Sequence, residues 1–217
     1  MRLLVLPGVL RPLSDGRLLA SKMRDERLAR GARVLDMFTG SGALAVAAAQ
    51  DGAAAVTAAD LSRRAEFNAR VNAALNRGDV VVVQGDLFAP LAGRRFDLVL
   101  ANPPYVPSAE PELPSRGAAL AWEGGPGGRA VIDRFCAEVG THLFPGGSAL
   151  IVQSSLTGEE RTVERLEAGG LSVRVLVRER GPLGPVVSER ATELERQGML
   201  EPGAREEELL VIQATRT

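Results

Sequence analysis

Apolar and polar positions along the chain switch between two periods. Short apolar runs of strand length, "RVLDMF", "AAAVTAAD", "VVVQGD", "FDLVLAN" and "GGSALIVQSS", are separated by stretches with helical spacing, "ALAVAAAQ", "SRRAEFNARVNAAL" and "GRAVIDRFCAEVGTHL". Apolar runs bounded by turn residues fit strands covered on both faces, and the helical stretches fit the crossovers between them. Ser62 is placed to cap the second helix, since its hydroxyl can accept an orphan N–H of the first turn. "EERTVERLEAGG" adds a helix closed by Gly169 and Gly170, and "LSVRVLVRER" and "EELLVIQAT" read as the final strands. "RLLASKMRDERLAR" reads as an amphipathic helix leading into the first strand. The alternation predicts an α/β fold with a mostly parallel sheet, helices on both faces, and antiparallel pairing of the last two strands at one edge. One domain over 1–217 accommodates it: an N-terminal segment and helix in 1–30, a core in 31–179, an insert in 180–206, and the last strand in 207–217. The insert carries "SERATELERQGML", which reads either as a solvated excursion or as a lid over a substrate.

Composition narrows the function. The chain has 217 residues, 45% of them hydrophobic, enough for one substantial core. Its 26 basic and 27 acidic residues leave a net charge of −1, which argues against a strong phosphate-binding footprint. Cys136 is the only cysteine and His142 the only histidine, so an intramolecular disulfide or a thiolate zinc site cannot be built. No metal site is expected. His142, in "VGTHLFPGG", reads as a surface or capping residue near a helix end. No apolar run approaches the roughly 20 residues of a membrane span. A soluble cytoplasmic protein is the expectation.

Ligands of such sheets bind beyond the carboxyl ends of the strands, so the chemistry is sought there. The first strand ends in "DMFTGSGAL". Gly40 and Gly42 allow a tight turn and close approach of backbone to a ligand at a helix N-terminus. Asp36, ahead of the glycines, would repel a pyrophosphate but can receive an ammonium, directly or through water. That suits the amino-acid end of S-adenosylmethionine better than a dinucleotide. Asp60, at the end of the second strand, is placed to hold ribose hydroxyls. Asp86, in "QGDLF", can accept from an adenine amine, with Leu87 against the ring. The fourth strand ends in "NPPY". The Asn102 side-chain oxygen and the stiffly held Pro103 carbonyl can each accept one N–H of a planar NH2 group, and the Tyr105 ring can stack on it. Stacking needs the ring and not the hydroxyl, so Tyr105→Phe is expected to be milder than Asn102→Ala.

With these loops in order, the chain resembles the class I S-adenosylmethionine-dependent methyltransferases. Within them it is similar to the HemK family, the N5-glutamine methyltransferases of translation release factors. The resemblance covers roughly residues 8–155. It rests on "NPPY", on "GVLRPLSD" near the start, and on "AWEGGPGGRAVIDRF", which looks like the short HemK proteins of eukaryotes and archaea. It implies a Rossmann-like fold with a seven-stranded, mostly parallel sheet, without the helical substrate-binding domain of the usual bacterial enzyme. It implies cofactor contacts at Asp15, Asp36, Gly40, Gly42, Asp60, Leu61, Asp86, Leu87 and Asn102. It implies acceptor contacts at Asn102, Pro103, Pro104 and Tyr105, with Asn102, Pro103 and Tyr105 nearest the chemistry. Two positions depart from the family pattern. The opening motif usually reads Glu-Asp-Thr and here is Ser14-Asp15-Gly16, and Phe38 replaces the first glycine of the strand-one loop. The implied acceptor is a protein glutamine, as in the Gly-Gly-Gln loop of a release factor, and a small zinc-binding activator subunit is an implied partner. Adenine-N6 methyltransferases of nucleic acids share "NPPY", and a small-metabolite acceptor or a non-catalytic cofactor module are further readings. Nucleic acid as a partner is disfavoured by the charge balance.

Overall fold

The computed structural model describes residues 1–108, 110 and 112–217. Seven strands form one sheet: β1 Arg33–Met37, β2 Ala55–Asp60, β3 Val80–Gln84, β4 Phe96–Ala101, β5 Leu143–Ser154, β6 Leu171–Pro182 and β7 Glu206–Arg216, in the order β3-β2-β1-β4-β5-β7-β6. Strands β1 to β5 are parallel, and β7 runs antiparallel between β5 and β6. The mostly parallel, seven-stranded sheet expected from the sequence is thus the observed architecture. The structure adds that β7 slots one place inside the edge. Ser154, at the carboxyl end of β5, pairs with Leu209 near the start of β7. Glu206 and Glu207 therefore stand at the same end of the sheet as the ligand loops.

Helices α1 Ser14–Asp25, α2 Ala43–Gln50, α3 Arg63–Leu75, α4 Ala130–Glu138 and α5 Glu159–Ala168 cover the sheet. One core holds Leu19, Met23, Val34, Leu98, Leu100 and Leu150, and the other holds Leu35, Met37, Val99, Phe88, Ile132 and Phe135. Alternate residues of β1 and β4 point to opposite cores, as the two-residue period of a strand requires. The α3 helix begins where the sequence places it, with the Ser62 hydroxyl accepting from Ala65 N at 3.3 Å. The α1 helix starts and ends earlier than its apolar pattern suggests, and the chain leaves it through Arg27 at φ 54°.

The first residues are tied to α3 by a ladder of asparagines. Arg2, Leu4 and Leu6 donate their N–H groups to the side-chain oxygens of Asn76, Asn72 and Asn68, each at 2.8 Å. Four helical residues rise about 6 Å and two extended residues about 6.6 Å, so the repeats stay in step. This ladder leads the N-terminal segment along α3 toward the ligand end of the sheet. The 180–206 region folds into helices α6 Pro185–Glu189 and α7 Ala191–Arg196. They bury one face: Leu183, Val187, Leu194 and Leu200 form a third apolar cluster with Val106, against which Trp122 packs.

Candidate active site

A cavity of about 390 Å³ opens at the carboxyl ends of β1, β2, β3 and β4. That is within the range of small-molecule sites, about 300–1,000 Å³. Asp15, Gly40, Asp60, Leu61, Asp86, Leu87, Asn102, Pro103, Pro104 and Tyr105 all line it. Asp36 and Gly42 do not.

Gly42 has a packing role that the sequence reading did not include. It has φ +81°, and a Cβ there would lie 2.9 Å from the Ala69 Cα of α3. Its Cβ side closely approaches a neighbouring helix. Gly40, at φ +55°, keeps the turn role, and its N–H donates to Asp60 Oδ2 at 2.9 Å. Phe38, in the family's first glycine position, also has positive φ, at 63°. An L-residue there is strained by roughly 1–2 kcal/mol. Its ring lies 6.0 Å from that of Phe135, which holds it on the core side of the turn.

Asp36 is fully buried behind Met37, Phe38 and Thr39, which do line the cavity. Its Oδ2 accepts from Thr39 Oγ1 at 2.5 Å and from Ala45 N at 2.9 Å, and its Oδ1 has no partner. Burial pushes its pKa up to about 7, against the two hydrogen bonds that favour the ionised form, and the nearby Asp60 charge adds to the rise. Among the described residues no cation pairs with it. The orphan carboxylate oxygen lies behind the loop, outside the cavity lining. Asp60 accepts from Ser62 N at 2.8 Å besides Gly40 N, and burial raises its pKa too, opposed by those two N–H groups. Both its oxygens keep capacity for a ribose diol. Asp86 is exposed and paired with Arg134 at 2.7 Å, a cavity residue the sequence reading missed. Leu87 is buried beside it at φ 47°, and Leu61 stands exposed at the rim.

At the other end, the Asn102 side chain has no hydrogen-bond partner among the described residues. Gly16 faces it: a Cβ at Gly16 would lie 3.8 Å from Asn102 Nδ2. The glycine in place of the family threonine leaves the amide uncovered. Tyr105 is held from two sides. Its hydroxyl donates to Asp15 Oδ2 at 3.1 Å. Its backbone lies against Gly124 and Gly128, where added Cβ atoms would come within 2.8 Å of Tyr105 Cα and of Thr157 Cγ2 respectively. The segment "WEGGPGG" is therefore a brace for "NPPY". Val106 N donates to Trp122 O at 2.8 Å, and Gly124 N to Val106 O at 2.9 Å. Arg129, buried beyond it, anchors the brace through Thr157 O at 3.1 Å and Asp133 at 2.6 Å. Neither Cys136 nor His142 lines the cavity. His142 stacks on Phe88 with ring centroids 4.3 Å apart, and its Nδ1 is 2.9 Å from Arg94 O. No group of three His, Cys, Asp or Glu among the described residues could hold a metal ion.

A doubly wound sheet of this order, with an acidic glycine loop, a ribose acid and "NPPY" around one cavity, defines a class I methyltransferase. The family model described as methyltransferase small domain matches residues 14–114. A protein of Methanocaldococcus jannaschii named as a protein N5-glutamine methyltransferase is 35% identical over 176 residues, covering 81% of this chain and 87% of that one. The chain therefore belongs to the protein N5-glutamine methyltransferase family. A release factor glutamine methyltransferase of Gloeobacter violaceus is 37% identical, and the match covers 77% of this chain but 61% of that longer protein. Among solved structures, the E. cuniculi Mtq2–Trm112 complex, described as responsible for methylation of the eRF1 termination factor, matches with a TM-score of 0.65 at 22% identity. The match covers 97% of this chain and 99% of the other, and shows a shared fold. The enzyme's cofactor is S-adenosylmethionine.

Proposed function

We propose that this enzyme methylates the side-chain amide nitrogen of a glutamine in a protein, with a translation release factor as the acceptor. The observation that carries the reading is the free Asn102 amide. It is uncovered by Gly16 and shares one cavity with the cofactor loops and the braced Tyr105. The relatives' names supply the acceptor class.

S-adenosylmethionine, when bound, supplies a methyl group on a sulfonium that departs as a neutral thioether. Asp36, which lies behind the cavity wall, would take its ammonium through a bridging water, Asp60 its ribose, and Asp86 with Leu87 its adenine. The acceptor nitrogen is a poor nucleophile because its lone pair is delocalised. Asn102 Oδ1 and the Pro103 carbonyl each accept one of its N–H bonds, which fixes the plane of the amide and the direction of the lone pair. No described backbone N–H occupies the Pro103 carbonyl. As the nitrogen gains the methyl it becomes positive, and the same two oxygens stabilise that charge. One N–H proton then leaves to solvent. The Tyr105 ring covers one face and keeps water from competing.

A small partner subunit is the companion reading, as in the Mtq2–Trm112 neighbour. It is supported by the free edge at β3, where Val81 is 55% exposed and Phe67 on the adjacent α3 is 58% exposed. A cytoplasmic location follows from the acceptor reading, and no helix among the described residues is long and apolar enough to cross a membrane. The decisive experiment is incubation with labelled S-adenosylmethionine and either whole release factor or adenine-containing DNA, followed by mass spectrometry of the product. Label on a glutamine supports the proposal. Label on adenine alone refutes it.

A further inference from the structure

The cavity holds three polar groups beyond those assigned to the cofactor and the acceptor amide. Glu207, at the start of β7, is 7% exposed and lines the cavity. Its Oε1 accepts from Gly184 N at 2.6 Å, and its Oε2 has no partner. Glu123 repeats the arrangement. Its Oε1 is paired with Arg190 at 2.5 Å, and its Oε2 is buried and unpartnered. Trp122, also on the wall, has a buried Nε1–H with no acceptor. A buried polar group without a partner is unfavourable, and three lining one cavity point to a partner that arrives from outside.

Their place in the fold says where that partner lies. Glu123 forms a parallel bridge with Val106, the residue after Tyr105. The Glu207 charge is felt by the Tyr105 hydroxyl, whose pKa is raised by burial first and then by Asp15 and Glu207. All three groups thus flank the acceptor end of the cavity. The α6 helix, packed through Val187 against Val106, closes the same side. Two arginines on the wall are committed, Arg24 to Asp51 and Arg134 to Asp86, and Arg190, which does not line the cavity, pairs with Glu123. Arg11 and Arg17 also line the cavity and stand exposed on the N-terminal segment.

We infer that Glu207, Glu123 and Trp122 form a receptor for the peptide backbone on either side of the acceptor glutamine. An extended peptide offers N–H and C=O groups in alternation. The two carboxylate oxygens accept N–H groups, and the indole donates to a C=O. A neutral backbone satisfies all three at once. A phosphodiester offers no donor to either carboxylate and is repelled by both, so the receptor selects protein over nucleic acid. The inference rests on the glutamine reading and names the part of that substrate which the site grips.

The test is Glu207→Gln. Glutamine keeps the acceptor that holds Gly184 N but turns the open oxygen into an NH2, which opposes an incoming N–H. The KM for whole release factor should rise about ten- to a hundred-fold, the cost of one unmade buried hydrogen bond. Affinity for S-adenosylhomocysteine and the melting temperature should stay near wild type. Trp122→Phe, which removes the N–H together with part of the ring's packing, should raise KM in the same direction. An unchanged KM in both variants, with glutamine still methylated, overturns this receptor and leaves the glutamine reading standing. If wild type methylates adenine in DNA and no glutamine, both fall. A wild-type enzyme that modifies neither also overturns both.

Discussion

Tyr105 donates its hydroxyl to Asp15 Oδ2 at 3.1 Å, joining residues 90 apart in the chain. Burial, and then the charges of Asp15 and Glu207, hold the Tyr105 pKa well above the usual phenol value, so the group remains a donor at working pH. The N-terminal segment and the acceptor loop are therefore one unit. This alters what Tyr105→Phe should do. Loss of the hydroxyl leaves Asp15 Oδ2 buried without its donor, at a cost of about 1–3 kcal/mol. We expect kcat/KM to fall by about ten-fold, where ring stacking alone would predict little change. Asp15→Asn should be similarly damaging. In a double-mutant cycle the pair should couple by more than about 0.5 kcal/mol. Additive losses would show that the bond does not operate.

Gly128 tests the brace behind Tyr105. A Cβ there would meet Thr157 Cγ2 at 2.8 Å and Tyr105 C at 3.1 Å, with the Tyr105 carbonyl oxygen closer still, at φ +70°. Backbone cannot give way as a flexible side chain can, so Gly128→Ala should cost about 1–3 kcal/mol for overpacking beyond the backbone strain. Gly31 is the control. It has φ +72° and nothing within 4 Å of an added Cβ. Gly31→Ala should cost only the strain, about 1–2 kcal/mol. Chemical denaturation should rank the two in this order. At equal fraction folded, only Gly128→Ala should lose methyl transfer.

Asp36 should make both stability and cofactor binding depend on pH. Its pKa rises from 3.8 unfolded to about 7 in the fold, chiefly through burial. The unfolded chain thus releases this proton first. This carboxylate contributes no penalty below about pH 4. It lowers stability progressively up to about 7 and imposes the whole penalty above that, roughly 4 kcal/mol at most. Asp36→Asn should therefore melt higher than wild type at pH 8 in the absence of cofactor, with little difference at pH 4. Binding runs the other way. The ionised form is the one that takes an ammonium, so S-adenosylhomocysteine affinity should climb as pH rises toward 7 and then level off. Calorimetry across that range is the check. The same pH profile in Asp36→Asn would show that another group is responsible.

The parts of this site carried by contiguous residues were legible before the fold. The strand-end acids and "NPPY" declare themselves because a strand fixes where its last residue points, and each loop follows its strand directly. The packing role of Gly42 was hidden because a glycine pattern does not name the close neighbour, and Ala69 is 27 positions away in sequence. Tyr105 with Asp15, and Asp86 with Arg134, were invisible because each pair is made by distant segments. The asparagines of α3 offered a signal that went unread. Asn68, Asn72 and Asn76 recur every four residues on one helix face, and two of them are completely buried. A repeated polar residue on a buried face calls for a backbone partner. The insert resisted reading because α6 and α7 are short, and their apolar residues make sense only against Val106 and Trp122.

Asn102 should matter more for turnover than for folding. Its side chain has no described protein partner, so Asn102→Ala breaks no internal hydrogen bond, and the melting temperature should move little. What it removes is one of the two oxygens to which the proposed function assigns the acceptor NH2. If that oxygen orients the nitrogen and stabilises its developing charge, the loss falls on kcat, by about 10²–10³-fold, as for other preorganised groups of this kind. Asn102→Asp is a sharper probe. It retains an acceptor oxygen at the same position, so it should recover part of the rate lost by alanine. It also adds a charge in a cavity that already holds Asp15, Glu123 and Glu207, so recovery should be incomplete. S-adenosylhomocysteine affinity must be measured for each variant, because a side chain between cofactor and acceptor can touch both. A fall in kcat at saturating cofactor, with unchanged melting, is the expected result. Undiminished methylation of any acceptor by Asn102→Ala would mean that the Pro103 carbonyl alone holds the amide, and the two-oxygen receptor would have to be abandoned.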